Sequence, residues 1–396
     1  MPVVDLFCGC GGLSKGFELA GFDIAAAYDG WDDAVECYNA NFDHDAHILD
    51  LSDVEGAVPV IMDNHPTVII GGPPCQEFSN AGKREEGEKA DLTYKYAEIV
   101  TRIEPDFFVM ENVPRARESK AYARARELYV EHHYGLTEVV LDASRCGAPQ
   151  KRSRFFCIGA HNAPDNFLLE SIFESYVGEE ISVRQYFEDH GIPLDINDYY
   201  RHPTTYSRRA IFSVDDASPT VRGVNRPKPP TYNHHEKDSV GEGELENVRA
   251  LTLRERAAIQ TFPNDFVFEN LNISNGDLEQ MVGNAVPVRL AQFVAERLHD
   301  YMMQRDNNQQ PVGEKQDFAW WLRNVKRYES DRSISDVFSR IRRAQRLLPD
   351  REIDKYFLVD LAENEEYMNY EVSVRSQIKK AINLKLAFDN WTNNHE

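Results

Sequence analysis

The chain has 396 residues, 42% of them hydrophobic, and carries 44 Lys and Arg against 66 Asp and Glu, a net charge of −22. That is enough apolar sequence for a sizeable core divided among two or three domains, with no run near the 18 apolar residues of a membrane span and no signal-type leader, so a cytoplasmic protein is expected. Six cysteines (Cys8, Cys10, Cys37, Cys75, Cys146, Cys157) without a disulfide framework or paired zinc spacing read as reduced thiols, and no metal is expected.

Up to residue 160, apolar runs alternate with helical patterns, the signature of a doubly wound α/β sheet. Strands are expected at 3–7, 24–28, 68–70, 107–111, 137–141 and 155–158. Tyr96, Ile99, Val100 and Ile103 recur at helical spacing and mark a crossover helix over 94–103. From 161 to 248 the pattern dissolves into acidic, Pro-rich sequence, read as a small inserted domain or an extended recognition segment. Regular structure resumes at 249–303, where Thr252 and Glu255 stand at capping-box spacing and a second helix runs from about 288 to 301. A Gln- and Asn-rich linker, 304–310, leads to a helical extension, 311–396, in which Val337, Ile341, Ala344 and Leu348 share one face.

The chemistry begins with Asp5-Leu6-Phe7-Cys8-Gly9-Cys10-Gly11-Gly12-Leu13. This run leaves a strand and opens a helix, so its glycines permit a tight turn and close approach of a ligand to backbone amides; alone it is a weak signal. Asp29 ends the next strand, where a carboxylate can bind ribose hydroxyls, and Asp50 supplies a third acid. Together they describe an adenosyl pocket, while the absence of a Walker-type Gly-Lys-Ser/Thr argues against a nucleoside triphosphate. Gly72-Pro73-Pro74-Cys75-Gln76 follows the β-branched run Thr67-Val68-Ile69-Ile70, an arrangement suited to presenting a thiolate at the carboxyl end of a buried strand; a buried structural cysteine is the plain alternative. Met110-Glu111-Asn112-Val113-Pro114 ends another strand, which would set a carboxyl acid beside that thiolate. Gln150-Lys151-Arg152-Ser153-Arg154 puts two arginines on one side of an extended segment. A surface acid and a structural ion pair would look the same. Positive charge is concentrated at 199–235, where Arg201, Arg208, Arg209, Arg222, Arg226 and Lys228 are interleaved with Tyr199, Tyr200, Tyr206 and Tyr232, although a solvated loop would also give this composition. Lysine is scarce, 14 against 30 arginines, which together with the acidity suggests a high-salt cytoplasm, although a viral or merely acidic bacterial protein would fit as well.

The ordered blocks Phe7 to Gly12, Pro73-Pro74-Cys75-Gln76, Glu111-Asn112-Val113, Gln150 to Arg154, Arg249 to Glu255 and Gly283-Asn284-Ala285-Val286 resemble the DNA cytosine-5 methyltransferase family, over 1–160 and 249–300. The resemblance implies a Rossmann-like, S-adenosylmethionine-dependent fold with a mixed, mostly parallel sheet, a small irregular target-recognition domain and the C-terminal helical extension. It implies S-adenosylmethionine as methyl donor, S-adenosylhomocysteine as product, and contacts from Phe7, Gly9, Gly11, Leu13, Asp29, Asp50, Pro74 and Asn284. Gly30 stands where the family often has a bulky residue after the ribose acid, with Trp31 one further on. Cys75 would add to carbon 6 of a flipped cytosine, Glu111 would donate a proton to ring nitrogen 3, Arg152 and Arg154 would orient the base and hold Glu111, and Asn112 would position it.

Double-stranded DNA is the implied partner. Gln76, Ser79, Lys83 and Arg84 would contact it from a closing loop over 76–91, whose acidic residues Glu85, Glu86 and Glu88 are unexplained, and Arg208, Arg209, Arg222 and Arg226 from the recognition region. The run Ser218-Pro219-Thr220-Val221-Arg222-Gly223 resembles the portion of family recognition regions that lies at DNA. A monomer is expected, with a cognate restriction endonuclease as partner in a restriction-modification setting; an orphan enzyme, a tRNA cytosine-5 methyltransferase and an inactive DNA-binding homologue are the alternatives. The extension reads as a DNA-contacting module acting through Arg340, Arg342, Arg343 and Arg346, as a partner-docking helix pair, or as a cap on the core.

Overall fold

The computed structural model describes residues 1–74, 92–176, 180–194, 196, 198–202, 209–225, 231–241, 248–306, 317–328, 330–349 and 351–392. Its sheet is built from β1 (Pro2–Leu6), β2 (Asp23–Asp29), β3 (Ala46–Ile48), β4 (Val68–Gly71), β5 (Phe107–Asn112), β6 (Tyr134–Asp142) and, after the two-residue β7 (Gln150–Lys151), β8 (Ser153–His161). The strand order is β3-β2-β1-β4-β5-β8-β6. All of these run parallel except β8, which is antiparallel to both neighbours. This is the mixed, mostly parallel sheet expected. The order reverses between β1 and β4, and a crevice at such a switch point is where open α/β sheets bind ligands. Strand β3 escapes sequence reading because it is three residues long at the sheet edge, with Ile48 59% exposed, so no apolar run marks it.

Helices α1 (Gly12–Leu19), α2 (Asp32–Asn39), α3 (Val54–Met62), α4 (Leu92–Ile103) and α5 (Lys120–Glu131) connect the strands. Successive strand residues face opposite sides, so Val3, Val68, Ile70 and Val109 enter one core, with Leu13 and Phe17 of α1. Val4, Leu6, Ile69 and Phe108 enter another, with Tyr96, Ile99 and Val100 of α4. Within the span expected to be irregular, α6 (Leu169–Ser175) forms and sends Leu169, Ile172 and Phe173 into the first core; its apolar stretch is too short for periodicity to reveal. The chain then passes through α7 (Val183–Asp189), the antiparallel pair β9 (Tyr199–Arg201) and β10 (Ile211–Ser213), and β11 (Ser218–Pro219), which pairs in parallel with β7.

Helix α8 (Leu253–Ile259) begins at the capping box read from sequence, with Thr252 and Glu255 exchanging hydrogen bonds. Helices α9 (Asn275–Asn284) and α10 (Val288–Asp306) follow. A third core joins these helices to the recognition region through Phe187, Tyr200, Val221, Ile259, Phe262 and Val282.

The extension forms α11 (Phe318–Asn324), α12 (Asp331–Leu347), α13 (Phe357–Ala362), α14 (Glu365–Asn369) and α15 (Val372–Thr392). Trp321, Phe338, Ile341 and Ile382 belong to the same core as Leu141 of β6 and Leu298 of α10. Asp331 accepts the amide of Val140 at 2.9 Å, covering part of the exposed edge of β6. Of the arginines read as DNA contacts, Arg342 donates to the carbonyls of Phe173 and Glu174 at 2.6 Å and to that of Tyr176, closing the end of α6. Among the described residues no helix is long and apolar enough to cross a membrane.

Candidate active site

Immediately after β1 the backbone turns through three left-handed residues, Phe7 (φ 59°), Gly9 (φ 54°) and Gly11 (φ 91°). A side chain at Gly11 would overlap the Phe42 ring, whereas one at Gly9 would meet nothing within 4 Å, so Gly9 leaves open space in front of the turn. Asp29, at the end of the neighbouring β2, accepts the Gly9 amide at 2.8 Å and the Trp31 amide at 2.9 Å, one on each carboxylate oxygen. Burial raises its pKa while these amides oppose the rise. Asp50 follows β3 and is exposed, with Ser52 donating from its amide and hydroxyl. Leu13 is buried beneath the turn, and Pro74 and Asn284 are exposed. Trp31 caps α2 and packs half-buried against the third core.

Under the turn lies a buried chain that sequence reading missed. Ser14 donates to Asp5 at 2.6 Å, and Tyr38 donates to Ser14 at 2.8 Å. Burial, with Asp29 nearby, pushes the Asp5 carboxyl up to about 8. An Asp inside an apolar strand was the available signal.

The second half of the site forms where β4 and β5 end side by side. Arg154 Nε lies 2.8 Å from Glu111 Oε1. A Cβ placed on Gly72 would lie 3.1 Å from the other Glu111 oxygen, so the carboxyl group spans the distance from β8 to the turn after β4. Asn112 donates to the Pro73 carbonyl at 3.0 Å and accepts the Val113 amide at 2.8 Å. It therefore holds the Pro73-Pro74 turn rather than Glu111 itself. Glu111 and Asn112 are both buried. Desolvation raises the Glu111 pKa above the ordinary glutamate value, and the charges of Arg154 and Arg152 partly counter it.

The expectation that both arginines hold Glu111 divides. Arg154 makes the ion pair, whereas Arg152, fully enclosed, donates to the carbonyls of Val221 (2.9 Å), Gly283 (2.9 Å), Asn284 (3.2 Å) and Ala285 (3.0 Å). Gln150 is buried beside it, accepting the Val221 amide at 2.8 Å and donating to Gln260 at 2.8 Å. Arg256, on α8, donates to the Arg222 carbonyl and lies 3.4 Å from Glu279. Arg256, Gln260 and Glu279 were not singled out from sequence, since nothing in their spacing separates a buried polar clasp from a helix surface.

In the recognition region Arg222 is exposed. Arg209 instead turns inward, donating to Ile211 O and Ser239 Oγ and lying over the Phe212 ring. Cys75, Gln76, Ser79, Lys83, Arg84, Arg208 and Arg226 lie outside the described residues. Among the described residues no group of His, Cys, Asp or Glu is arranged to hold a metal ion.

The comparisons with known proteins bear on the family and the fold. The family model for C-5 cytosine-specific DNA methylases matches residues 1–300. Type II methyltransferase M.HgiDI of Herpetosiphon aurantiacus is 49% identical over 305 residues, spanning 77% of this chain and 96% of that protein. Type II methyltransferase M.HindV of Haemophilus influenzae is also 49% identical, over 302 residues, 76% of this chain and 97% of that protein. Among solved structures, the S. pombe Dnmt2 methyltransferase superposes with a TM-score of 0.57 at 19% identity, covering 78% of this chain and 99% of the other, a likeness of fold. By the match over residues 1–300 and the 49% identity to near-complete relatives, the chain belongs to the C-5 cytosine-specific DNA methylase family.

Proposed function

We propose that this DNA cytosine-5 methyltransferase transfers a methyl group from S-adenosylmethionine to carbon 5 of a flipped cytosine in one short sequence of double-stranded DNA, with Cys75 as covalent nucleophile, in a restriction-modification setting. The observation that carries the reading is the buried Arg154–Glu111 pair set against Gly72, three residues before Cys75, with Asn112 holding the intervening Pro73.

The residues present suit the adenosyl cofactor. Gly9 leaves room before the turn, and Asp29, held by two backbone amides, keeps lone pairs for ribose hydroxyls. Phe7, Gly11, Leu13, Asp50, Pro74 and Asn284 complete the set that would hold it. When bound, S-adenosylmethionine supplies an electrophilic methyl group on a sulfonium, which carbon 5 takes up.

The chain's own residues make carbon 5 reactive. Extruding the base costs a few kcal/mol of stacking and pairing, which pocket contacts must offset. The Cys75 thiolate then forms a bond to carbon 6, and the displaced π electrons move through the ring toward carbon 5 and nitrogen 3. Glu111, whose pKa burial raises above the ordinary glutamate value, gives a proton to nitrogen 3, so negative charge does not accumulate on the ring. Arg154 fixes the Glu111 carboxyl in place. After methylation, a base takes the carbon 5 proton, the electron pair left behind restores the carbon 5–carbon 6 double bond and expels the Cys75 thiolate, and nitrogen 3 returns its proton to the Glu111 carboxylate. Arg222, and with it Arg208, Arg226 and the loop residues Gln76, Ser79, Lys83 and Arg84, would meet phosphates or base edges; the inward bonding of Arg209 suits a supporting role.

The test is transfer of labelled methyl from S-adenosylmethionine to mixed-sequence duplex DNA across a potassium chloride series, with bisulfite mapping of the product. Methylcytosine in one short sequence, abolished in Cys75→Ser, is the expected result. A folded protein that transfers no methyl to duplex DNA at any salt, and does so to tRNA, would overturn it.

A further inference from the structure

The enclosed position of Arg152 asks for an explanation that Glu111 does not give. Among the described residues the buried guanidinium has no hydrogen-bonded carboxylate, and burial together with the nearby Arg154 charge disfavours its ionised form. An arginine keeps its proton nonetheless, so its solvation must come from the four carbonyls it reaches. One of these belongs to the recognition segment, Val221. The other three, of Gly283, Asn284 and Ala285, lie at the carboxyl end of α9, where carbonyls lack partners within the helix and positive charge is favoured.

The segments that carry the two groups of carbonyls are in direct contact. A Cβ on Gly283 would overlap the amide nitrogen of Gly223, so the segment and the helix end touch through bare backbone. Gln150 closes the same joint, taking the Val221 amide at 2.8 Å and passing a hydrogen bond to Gln260, which donates to Val282 O at 2.5 Å and Ala285 O at 3.2 Å. A shift of the recognition segment away from Arg152 would strip the guanidinium of a carbonyl in a place where water does not replace it. The joint is therefore costly to hold half-made.

Resting on the methyltransferase reading above, we propose that Arg152 is a positioning residue that couples target recognition to cofactor binding. DNA engaging Arg222 fixes Val221 beside it, and the shared guanidinium then fixes the backbone of Asn284, one of the residues that would hold the cofactor. By linkage, cofactor binding tightens the hold on target DNA by the same factor.

The experiment is the affinity of the chain for S-adenosylhomocysteine, by isothermal titration, alone and with a duplex carrying the sequence found methylated in the assay above or one lacking it. In the wild type the cognate duplex tightens cofactor binding by roughly fivefold or more and the other duplex does not. Arg152→Lys, which keeps the charge but not the planar fork, brings the ratio close to one. Arg209→Lys, which loosens the Ile211 and Ser239 contacts of the recognition region away from this joint, weakens DNA binding and keeps the ratio. Should Arg152→Lys lose cooperative melting, Gln260→Met reads the other strand of the joint and lowers the ratio. A wild-type ratio of one, a wild-type ratio retained in Arg152→Lys, or an equal loss in Arg209→Lys overturns the proposal. A chain that methylates DNA yet shows a ratio of one loses this inference alone; a chain that transfers no methyl loses the reading beneath it as well.

Discussion

Arg154 Nε stands 2.8 Å from Glu111 Oε1, and this contact sets opposing forces on one carboxyl group. Burial raises the Glu111 pKa, the Arg154 charge lowers it, and burial prevails. A general acid needs that balance, because it must hold a proton near neutral pH and still release it. Glu111→Gln, which keeps the shape but cannot transfer a proton, should lower the methylation rate by about 10²- to 10⁴-fold. Arg154→Leu removes the opposing charge, so Glu111 stays protonated to higher pH. Its residual activity should be lower, with the alkaline limb of the pH–rate profile moved upward. An unmoved or lowered limb in single-turnover measurements would contradict this account.

Two glycines in the turn after β1 should fail differently. Gly9 has a left-handed backbone (φ 54°) but faces open space, whereas Gly12 would bring a Cβ within 2.5 Å of the Val286 carbonyl. Gly9→Ala should cost only about 1–2 kcal/mol of backbone strain and weaken S-adenosylhomocysteine binding out of proportion. Gly12→Ala must part α1 from the α9–α10 corner and should lose more stability. Melting and cofactor titration of both variants separate the two effects; equal loss of binding at equal stability would refute the distinction.

Asp5 predicts a pH dependence of stability with a definite sign. Its carboxyl rises from 3.8 to about 8 on folding, chiefly through burial, so between those values the folded state binds more protons than the unfolded. Its contribution to stability is full below about pH 4 and is lost as pH rises through about 8. Denaturant unfolding of wild type and Asp5→Asn should show the wild type losing ground relative to the variant from pH 5 to 8, by an amount on the order of a few kcal/mol. Parallel curves would show that Asp5 is ionised throughout.

What the sequence disclosed and what it hid follow from physics. The buried strands β1, β4 and β5 announced themselves as β-branched or aromatic runs, and the α8 capping box as a Thr-Glu spacing, because both signals are local. Glu111 and Arg154 were legible as chemistry at strand ends. Their partition was not: whether Arg152 or Arg154 meets Glu111 depends on residues 69 to 133 positions away along the chain, and no periodicity encodes that. Likewise, α12 was legible through Val337, Ile341 and Ala344, but its attachment to β6 hangs on Asp331, an ordinary helix-start acid in the sequence.

That attachment yields the last prediction. Asp331 is buried, accepts the Val140 amide at 2.9 Å, pairs with Arg323 and lies 3.6 Å from Arg117, on the turn that follows Asn112. Removing its carboxylate leaves the amide of a half-buried edge strand unpaired and Arg323 without its partner. Asp331→Ala should therefore cost about 1–3 kcal/mol in denaturant unfolding. Asp331→Asn keeps an acceptor for Val140 and should lose less. Because Trp321, Phe338 and Ile382 share one core with Leu141 and Leu298, loss should spread through the whole chain. Near-ultraviolet circular dichroism and tryptophan fluorescence, with three tryptophans at 320, 321 and 391 in the extension and one at 31 beside the turn after β1, should report a single transition shifted together. Two separated transitions, with Trp31 unmoved by Asp331→Ala, would show instead that the extension folds as an independent domain.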